Sequence, residues 1–127
     1  MEFFAKFRKD DWTQRLAKAR HVLQEYPSRV PVIVDRGTPE TPNLKEDHHR
    51  YVVPQDHTMG QFLNILRKNL PACTSAQGLM LHTYPQNTCE PLSKTLGQVY
   101  SEFQDRDAFL YLTISLENMF GAEETGA

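Results

Sequence analysis

The sequence has few cysteines and no long apolar run, and both absences narrow the class of protein. Only Cys73 and Cys89 occur in 127 residues. Two thiols cannot form the dense disulfide framework of a small secreted domain, so the sequence predicts free thiols in a reducing, cytoplasmic setting. The longest apolar stretches, residues 30–34 and 109–112, are far shorter than the ~20 residues that a membrane span requires. We therefore expect one domain that crosses no membrane by its own sequence.

Excess charge and catalytic motifs are equally scarce. The chain has 14 basic and 16 acidic side chains, which give a formal net charge of -2. A dedicated nucleic-acid-binding protein would be strongly basic. The sequence has no glycine-rich phosphate loop, no H-E-x-x-H motif and no paired C-x-x-C. His48 and His49 are adjacent, and on an extended segment they would point to opposite faces. We predict no enzyme, no metal site and no bound cofactor; the alternative is an enzyme that uses Cys73 or Cys89.

Two helices are predicted at the start of the chain. Residues 3–7 place three phenylalanines among basic residues, as in a short amphipathic helix that packs on the domain or touches a membrane or partner. Asp11 and Gln14 have capping-box spacing ahead of a second helix. Apolar residues then follow at helical spacing over residues 12–26. This pattern assigns Arg15 to the solvent-facing side.

The rest of the chain predicts a mixed sheet. The order is strand, strand, helix, strand, helix, strand, with strands at residues 30–34, 50–54, 79–81 and 108–114. The first two strands are expected to pair antiparallel, and the last is apolar enough to be central. Thr58 and Ser93 are predicted to cap the two helices between strands. This order predicts an α+β fold, a four-stranded β-grasp sheet preceded by two helices.

The first two strands place much apolar surface near two prolines, with basic residues beside it. The apolar residues are Val30, Pro31, Ile33, Tyr51, Val52, Val53 and Pro54, and the basic ones are Arg29, Arg50 and Arg67. One interpretation is that they fill the core. The other is an edge that receives an extended peptide by strand addition, with arginines attracting an acidic flank.

Four segments resemble the ubiquitin-like modifiers of autophagy, which are conjugated to phosphatidylethanolamine. They are YPSRVPVIV at 26–34, RYVVPQDHTMGQF at 50–62, ILRK at 65–68 and DRDAFLYLTISLENMFG at 105–121. The resemblance spans roughly residues 8–121 and implies a β-grasp core preceded by two helices. It divides the chain into a helical extension at 1–26, a ubiquitin-like domain at 27–121 and a removable tail at 122–127.

The resemblance also implies a function. A cysteine protease would trim the C-terminus, and activating and conjugating enzymes would pass the exposed glycine to phosphatidylethanolamine. The lipid is the only group that the resemblance attaches to the protein. The conjugate would move from the cytoplasm to the autophagosomal membrane and recruit cargo receptors through aromatic-x-x-aliphatic motifs, without binding nucleic acid. The alternative is a non-conjugated peptide-binding adaptor that uses the same groove.

Individual residues follow from the resemblance. Gly121 would be the conjugated residue and Phe120 its recognition neighbour. The pocket for the aromatic residue of the motif would comprise Val22, Pro31, Ile33, Val52 and Phe109. The pocket for its aliphatic residue would comprise Tyr51, Val53, Pro54, Phe62 and Ile65, with Arg29, Arg50 and Arg67 around the groove. Lys18 and His57 are departures from the family pattern, standing where it has a glutamate and an aliphatic residue.

Overall fold

The computed structural model describes residues 1–71 and 78–117. Its helices are α1 (Glu2–Phe7), α2 (Trp12–Glu25), α3 (Met59–Lys68) and α4 (Leu96–Phe103), and its strands are β1 (Arg29–Arg36), β2 (Arg50–Pro54), β3 (Leu79–Thr83) and β4 (Leu110–Leu116). The predicted architecture, a four-stranded mixed sheet with helices and two helices before it, is confirmed. None of the helices in the described ranges is long and apolar enough to cross a membrane.

The sheet has the strand order β2-β1-β4-β3. As predicted, β1 and β2 pair antiparallel and β4 lies centrally, where it is parallel to β1 and antiparallel to β3. The predicted start of β4 at Ala108 is two residues early. Ala108 has a φ of 66°, in the left-handed region, and an extended strand cannot include that conformation.

Helices α3 and α4 cover one face of the sheet, here called the inner face. The predicted cap at Thr58 is confirmed, and it forms a capping box with Gln61 that starts α3. The prediction that Ser93 caps α4 is wrong, because Thr95 and Gln98 form that capping box instead. Phe62 and Leu66 of α3 are fully buried on this face, within an almost wholly aliphatic core.

Helices α1 and α2 cover the opposite, outer face. Phe3, Phe4 and Phe7 are all buried there, so the aromatic side of α1 packs on the sheet. The buried Asp35 carboxylate accepts hydrogen bonds from the backbone N–H groups of Phe3 (2.8 Å) and Phe4 (3.1 Å). An anion at the first turn satisfies amides that the helix itself leaves unpaired, and it fixes α1 on β1.

Two predictions for α2 are wrong, namely the capping box of Asp11 with Gln14 and the exposure of Arg15. Asp11 occupies the N-cap position but makes no capping hydrogen bond, since its carboxylate accepts from the Thr13 hydroxyl. Arg15 is only 7% exposed instead of facing solvent. Its Nε donates to Asp107 Oδ2 at 2.8 Å, across 92 positions of sequence. Helical periodicity carries no signal for a partner so distant in the chain.

Candidate functional site

A cavity of about 230 Å³ lies between α2 and the outer face of β1 and β2. Its lining residues are Phe7, Lys18, Val22, Pro31, Val32, Ile33, Arg50, Tyr51, Val52 and Phe109. In the described part of this lining most side chains are apolar or aromatic, and the two charged ones are both cations. Such a cavity suits one apolar or aromatic side chain.

An unpaired strand edge runs beside this cavity. In the described residues β2 pairs with β1 alone, which leaves its other side open. Backbone hydrogen bonds from Val34 N to His49 O and from Gln55 N to Ser28 O flank β2. They show that the backbone N–H and C=O groups of the odd-numbered residues in and beside β2 point toward β1. By strand alternation, the backbone groups of Arg50 and Val52 then face outward. Two residues with free N–H and C=O groups can pair with an added strand.

The wall formed by α2 is held in place by the buried ion pair of Arg15 and Asp107. Lys18 and Val22 follow Arg15 at three and seven residues, so they share its face of the helix. Asp107 also accepts from Phe109 N at 2.9 Å and from the Tyr111 hydroxyl at 2.5 Å. One carboxylate thereby joins α2 to the start of β4, beside the cavity.

Ionisation of these groups is set by the same contacts. Burial and the hydrogen bond to Asp107 raise the pKa of Tyr111 above its ordinary value. Burial is the largest single influence on the pKa of Arg15 and lowers it. The hydrogen bond to Asp107, together with the other interactions with Asp107 and Tyr111, outweighs burial, so the net shift is upward. Near neutral pH, Arg15 is therefore charged and the Tyr111 hydroxyl keeps its proton.

The mouth of the cavity carries positive charge. Lys18 Nζ lies 3.0 Å from Asp10 Oδ2, and the two side chains are 54% and 49% exposed. The Arg50 guanidinium lies 5.3 Å from the centre of the Phe7 ring. Cations on α2 and on β2 therefore bracket the opening and favour a ligand that brings acceptors or negative charge.

The structure brings the predicted aromatic-pocket residues together. Val22, Pro31, Ile33, Val52 and Phe109 all line the cavity, along with Lys18, Arg50 and Tyr51. Sequence reasoning missed Phe7 and Val32. The α1 pattern marked the aromatic face that contains Phe7, but it could not show which ring would reach a cavity between α2 and the sheet.

The residues predicted for the aliphatic pocket lie along the junction of β2 and α3, and all of them except Tyr51 are outside the described lining of the cavity. Val53 and Phe62 are buried in the core there. Tyr51 stacks edge-on against Phe62 at 5.2 Å and accepts a hydrogen bond from Asn69 Nδ2 at 2.9 Å. Half-buried residues around them retain surface for a ligand, namely Tyr51, Pro54, His57, Ile65 and Arg67. The exposed Arg29 guanidinium lies 5.3 Å from the Tyr26 ring, at the start of β1.

The remaining predicted residues, Phe120 and Gly121, lie outside the described residues, as does the segment 122–127. The described chain leaves the sheet at Glu117, whose backbone N–H donates to Gly78 O at 2.7 Å. Across residues 1–71 and 78–117 there is no group of three or more metal-ligating side chains.

Comparison with known proteins agrees with this architecture. A family model described as "Autophagy protein Atg8 ubiquitin like" matches residues 14–121. Autophagy-related protein 8e of Arabidopsis thaliana is 36% identical over 114 residues, 89% of each chain. Autophagy-related protein 8 of Dictyostelium discoideum is 33% identical over 110 residues, 87% of this chain and 88% of that one.

A solved structure is also similar. The crystal structure of Trypanosoma brucei ATG8 superposes with a TM-score of 0.73 at 31% identity, over 88% of this chain and 94% of that one. The family match includes the β2 edge and every described residue that lines the outer-face cavity except Phe7. This chain belongs to the Atg8 family of autophagy-related ubiquitin-like proteins.

Proposed function

We propose that this protein is a lipid-conjugated docking platform of autophagy. Its C-terminus is processed to Gly121, and that residue is joined to phosphatidylethanolamine. Beside the lipid, the protein needs no cofactor and performs no catalysis; it is the substrate of a processing protease and of activating and conjugating enzymes. It works in the cytoplasm and on autophagosomal membranes, where its groove binds cargo receptors.

The observation that carries the docking function is the open β2 edge beside an apolar cavity. An extended peptide that pairs with Arg50 and Val52 would place one aromatic side chain in the cavity. Side chains of a strand alternate, so a residue three positions further on projects toward the opposite face, about 10 Å away. On that side Tyr51 and Ile65 have accessible surface. The geometry thus supports an aromatic-x-x-aliphatic spacing.

The match to the family model ends at residue 121, and this supports Gly121 as the processed end. Glycine suits conjugation because it has no Cβ, so its carboxylate can pass through a narrow active-site channel. Phe120 would give the processing and conjugating enzymes an aromatic side chain to recognise. The tail 122–127 would be removed.

Titration with an acidic-flanked aromatic-x-x-aliphatic peptide tests the groove. We expect micromolar affinity, about -8 kcal/mol. Val52→Glu should weaken binding at least about tenfold, since a buried carboxylate beside the aromatic residue is costly. Val52 is 36% exposed, so this change should leave the fold intact, whereas a charge at Ile33, only 1% exposed, would unfold it. Leu92→Glu, at an apolar residue 53% exposed and outside the cavity lining, is the control. Undiminished affinity of Val52→Glu would contradict the groove assignment.

Intact mass measurement of the protein from soluble and membrane fractions tests conjugation. Loss of residues 122–127 and the added mass of phosphatidylethanolamine are expected in the membrane fraction. Gly121→Ala should abolish that form, and Gly126→Ala should not. An unmodified full-length mass in both fractions, in starved and growing cells, would favour the non-conjugated adaptor.

A further inference from the structure

The side chains that line the outer-face cavity supply hydrogen-bond donors and almost no acceptors. Lys18 offers an ammonium and Arg50 a guanidinium, and neither group can accept. Among the described lining residues, the only other polar side-chain group is the Tyr51 hydroxyl, and it lies on the inner face of the sheet, where Asn69 donates to it. The carboxylate that pairs with Lys18 belongs to Asp10, which is not part of the described lining of the cavity. A polar atom of an occupant therefore meets donors at the mouth.

Aromatic side chains differ in what they bring to such a mouth. Phenylalanine has no polar atom, and the tryptophan indole N–H can only donate. A tyrosine hydroxyl can accept as well as donate. A hydrogen bond from a charged donor is roughly twice as strong as one between neutral groups. Facing Lys18, the indole N–H is left without a partner, while the tyrosine hydroxyl gains one.

Lys18 is free to exchange partners. Its ion pair with Asp10 is about half exposed at both ends, and pairs of this kind are weak in water. The four-carbon stem allows the ammonium to swing from Asp10 to a ligand hydroxyl at the mouth. On these grounds, and resting on the proposed docking function, we infer that this cavity selects tyrosine over tryptophan, with Lys18 as the specificity-determining residue.

The experiment compares three extended peptides that are identical except for tyrosine, phenylalanine or tryptophan at the aromatic position. Each is titrated by fluorescence polarisation against the full chain and against the variants Lys18→Met and Lys18→Glu. Methionine keeps a long apolar side chain without the donor, and glutamate replaces donors by acceptors. Phenylalanine is the internal reference for both polar rings, and the midpoint of thermal unfolding verifies that each variant is folded.

For the unmodified chain we expect tyrosine to bind about tenfold tighter than tryptophan, with phenylalanine between them. In Lys18→Met the tyrosine and phenylalanine affinities should converge. In Lys18→Glu the order should invert, because the carboxylate accepts from the indole N–H. An inverted order of tyrosine and tryptophan affinities requires that hydrogen-bond donors be replaced by acceptors. A loss of packing alone would not invert the order.

Other outcomes separate this inference from the proposed function. Equal binding of all three peptides, with ratios that Lys18→Glu leaves unchanged, would overturn the selectivity and leave docking intact. Tighter binding of tryptophan to the unmodified chain would also overturn it, and would indicate a cation–π contact. Absence of binding for all three peptides would overturn both, because no aromatic side chain would then enter the cavity.

Discussion

The two faces of the sheet are packed with different chemistry. The inner face is closed by aliphatic side chains of α3, α4 and all four strands, and among the described residues Phe62 is the one fully buried aromatic ring in that cluster. The outer face is closed by aromatic rings of α1 together with Ile33, Phe109 and Tyr111. Buried polar groups occur mainly on the outer side, where Asp35 holds α1 and Asp107 holds α2.

Directional contacts on the outer side explain why a cavity persists there. Aliphatic chains fill space in many orientations, but rings and ion pairs need fixed geometry. The Phe3 ring stacks on His49 at 4.0 Å with 2° between their planes, and His49 Nδ1 lies 2.7 Å from Val34 O. Helices α1 and α2 are held on the sheet by a few contacts of this kind, and space remains between those contacts. We infer that the inner face supplies most of the stability, and the outer face positions the groove.

The largest effect is expected on the inner face. Phe62 has 0% exposure, and Phe62→Ala should cost about 3–5 kcal/mol of unfolding free energy through lost burial and a residual cavity. Urea unfolding measures this cost. The exposed control Leu92→Ala should stay within about 0.5 kcal/mol. A cost below about 1 kcal/mol for Phe62→Ala would contradict the inference that the inner face supplies most of the stability.

A somewhat smaller loss is expected at the buried ion pair of the outer face. Asp107→Asn should cost about 3 kcal/mol, because the Arg15 charge remains buried without its counter-ion. Because α2 carries Lys18 and Val22, peptide affinity should fall further than the unfolded fraction explains. Both quantities are measured on the same sample, by urea unfolding and by peptide titration.

Asp105→Asn is the matched control for Asp107→Asn. Asp105 pairs with Arg8 at 3.1 Å, where both side chains are partly exposed, so its loss should cost about 1 kcal/mol or less. If Asp107→Asn lost stability but kept full peptide affinity, the outer face would have no special part in positioning the groove.

A third prediction concerns Tyr111 and alkaline pH. Tyr111→Phe removes a hydrogen bond to a carboxylate and should cost about 1.5 kcal/mol near neutral pH. Burial and the bond to Asp107 raise the pKa of Tyr111, so the native state holds this proton after the unfolded chain loses its own near pH 10. The wild-type advantage is therefore constant below about pH 10 and declines above it.

The pH dependence is measured as the difference in unfolding free energy between wild type and Tyr111→Phe from pH 7 to 11. Burial also raises the pKa values of Tyr51 and Tyr100, but those residues are shared by both proteins and cancel in the difference. A difference that grew above pH 10 would mean that the native state stabilises tyrosinate, and would contradict the assignment of Tyr111 as a donor.

Sequence reasoning succeeded for most local features, although the capping contacts assigned to Asp11 and Ser93 were wrong. The box of Thr58 and Gln61 spans four residues, and both the order of elements along the chain and the central position of β4 follow from apolar patterning. It failed where partners are distant in the chain. Arg15 has the spacing of a solvated residue, and only the folded chain brings Asp107 to it.

The candidate site divides in the same way. The resemblance identified Lys18, Val22 and Val52 as neighbours, and the structure places them around one cavity. Phe7 could not be assigned there, because its position depends on the Asp35 contact that docks α1. The structure also shows that Phe62, predicted to line a pocket, is wholly within the core. Strand and helix patterns therefore do not distinguish residues that line a pocket from residues that fill the core.

The smallest effect on stability is expected at the pair of Lys18 and Asp10. This pair tests whether the outer face contains residues that affect peptide binding without affecting stability. Asp10→Asn removes an exposed counter-ion and should change the unfolding free energy by less than about 1 kcal/mol. It releases the Lys18 ammonium toward the cavity, so affinity for a tyrosine peptide should rise while that for a phenylalanine peptide stays nearly constant. The same titration on Lys18→Met with Asp10→Asn is the control, since the effect must vanish without the ammonium. An equal gain for both peptides would mean that Asp10 acts only through general repulsion of an acidic ligand. If Asp10 hardly affects stability but changes which peptide binds, then peptide selectivity is determined by exposed residues at the rim of the cavity. The buried contacts of Asp35 and Asp107 would then shape the outer face without determining which peptide it selects.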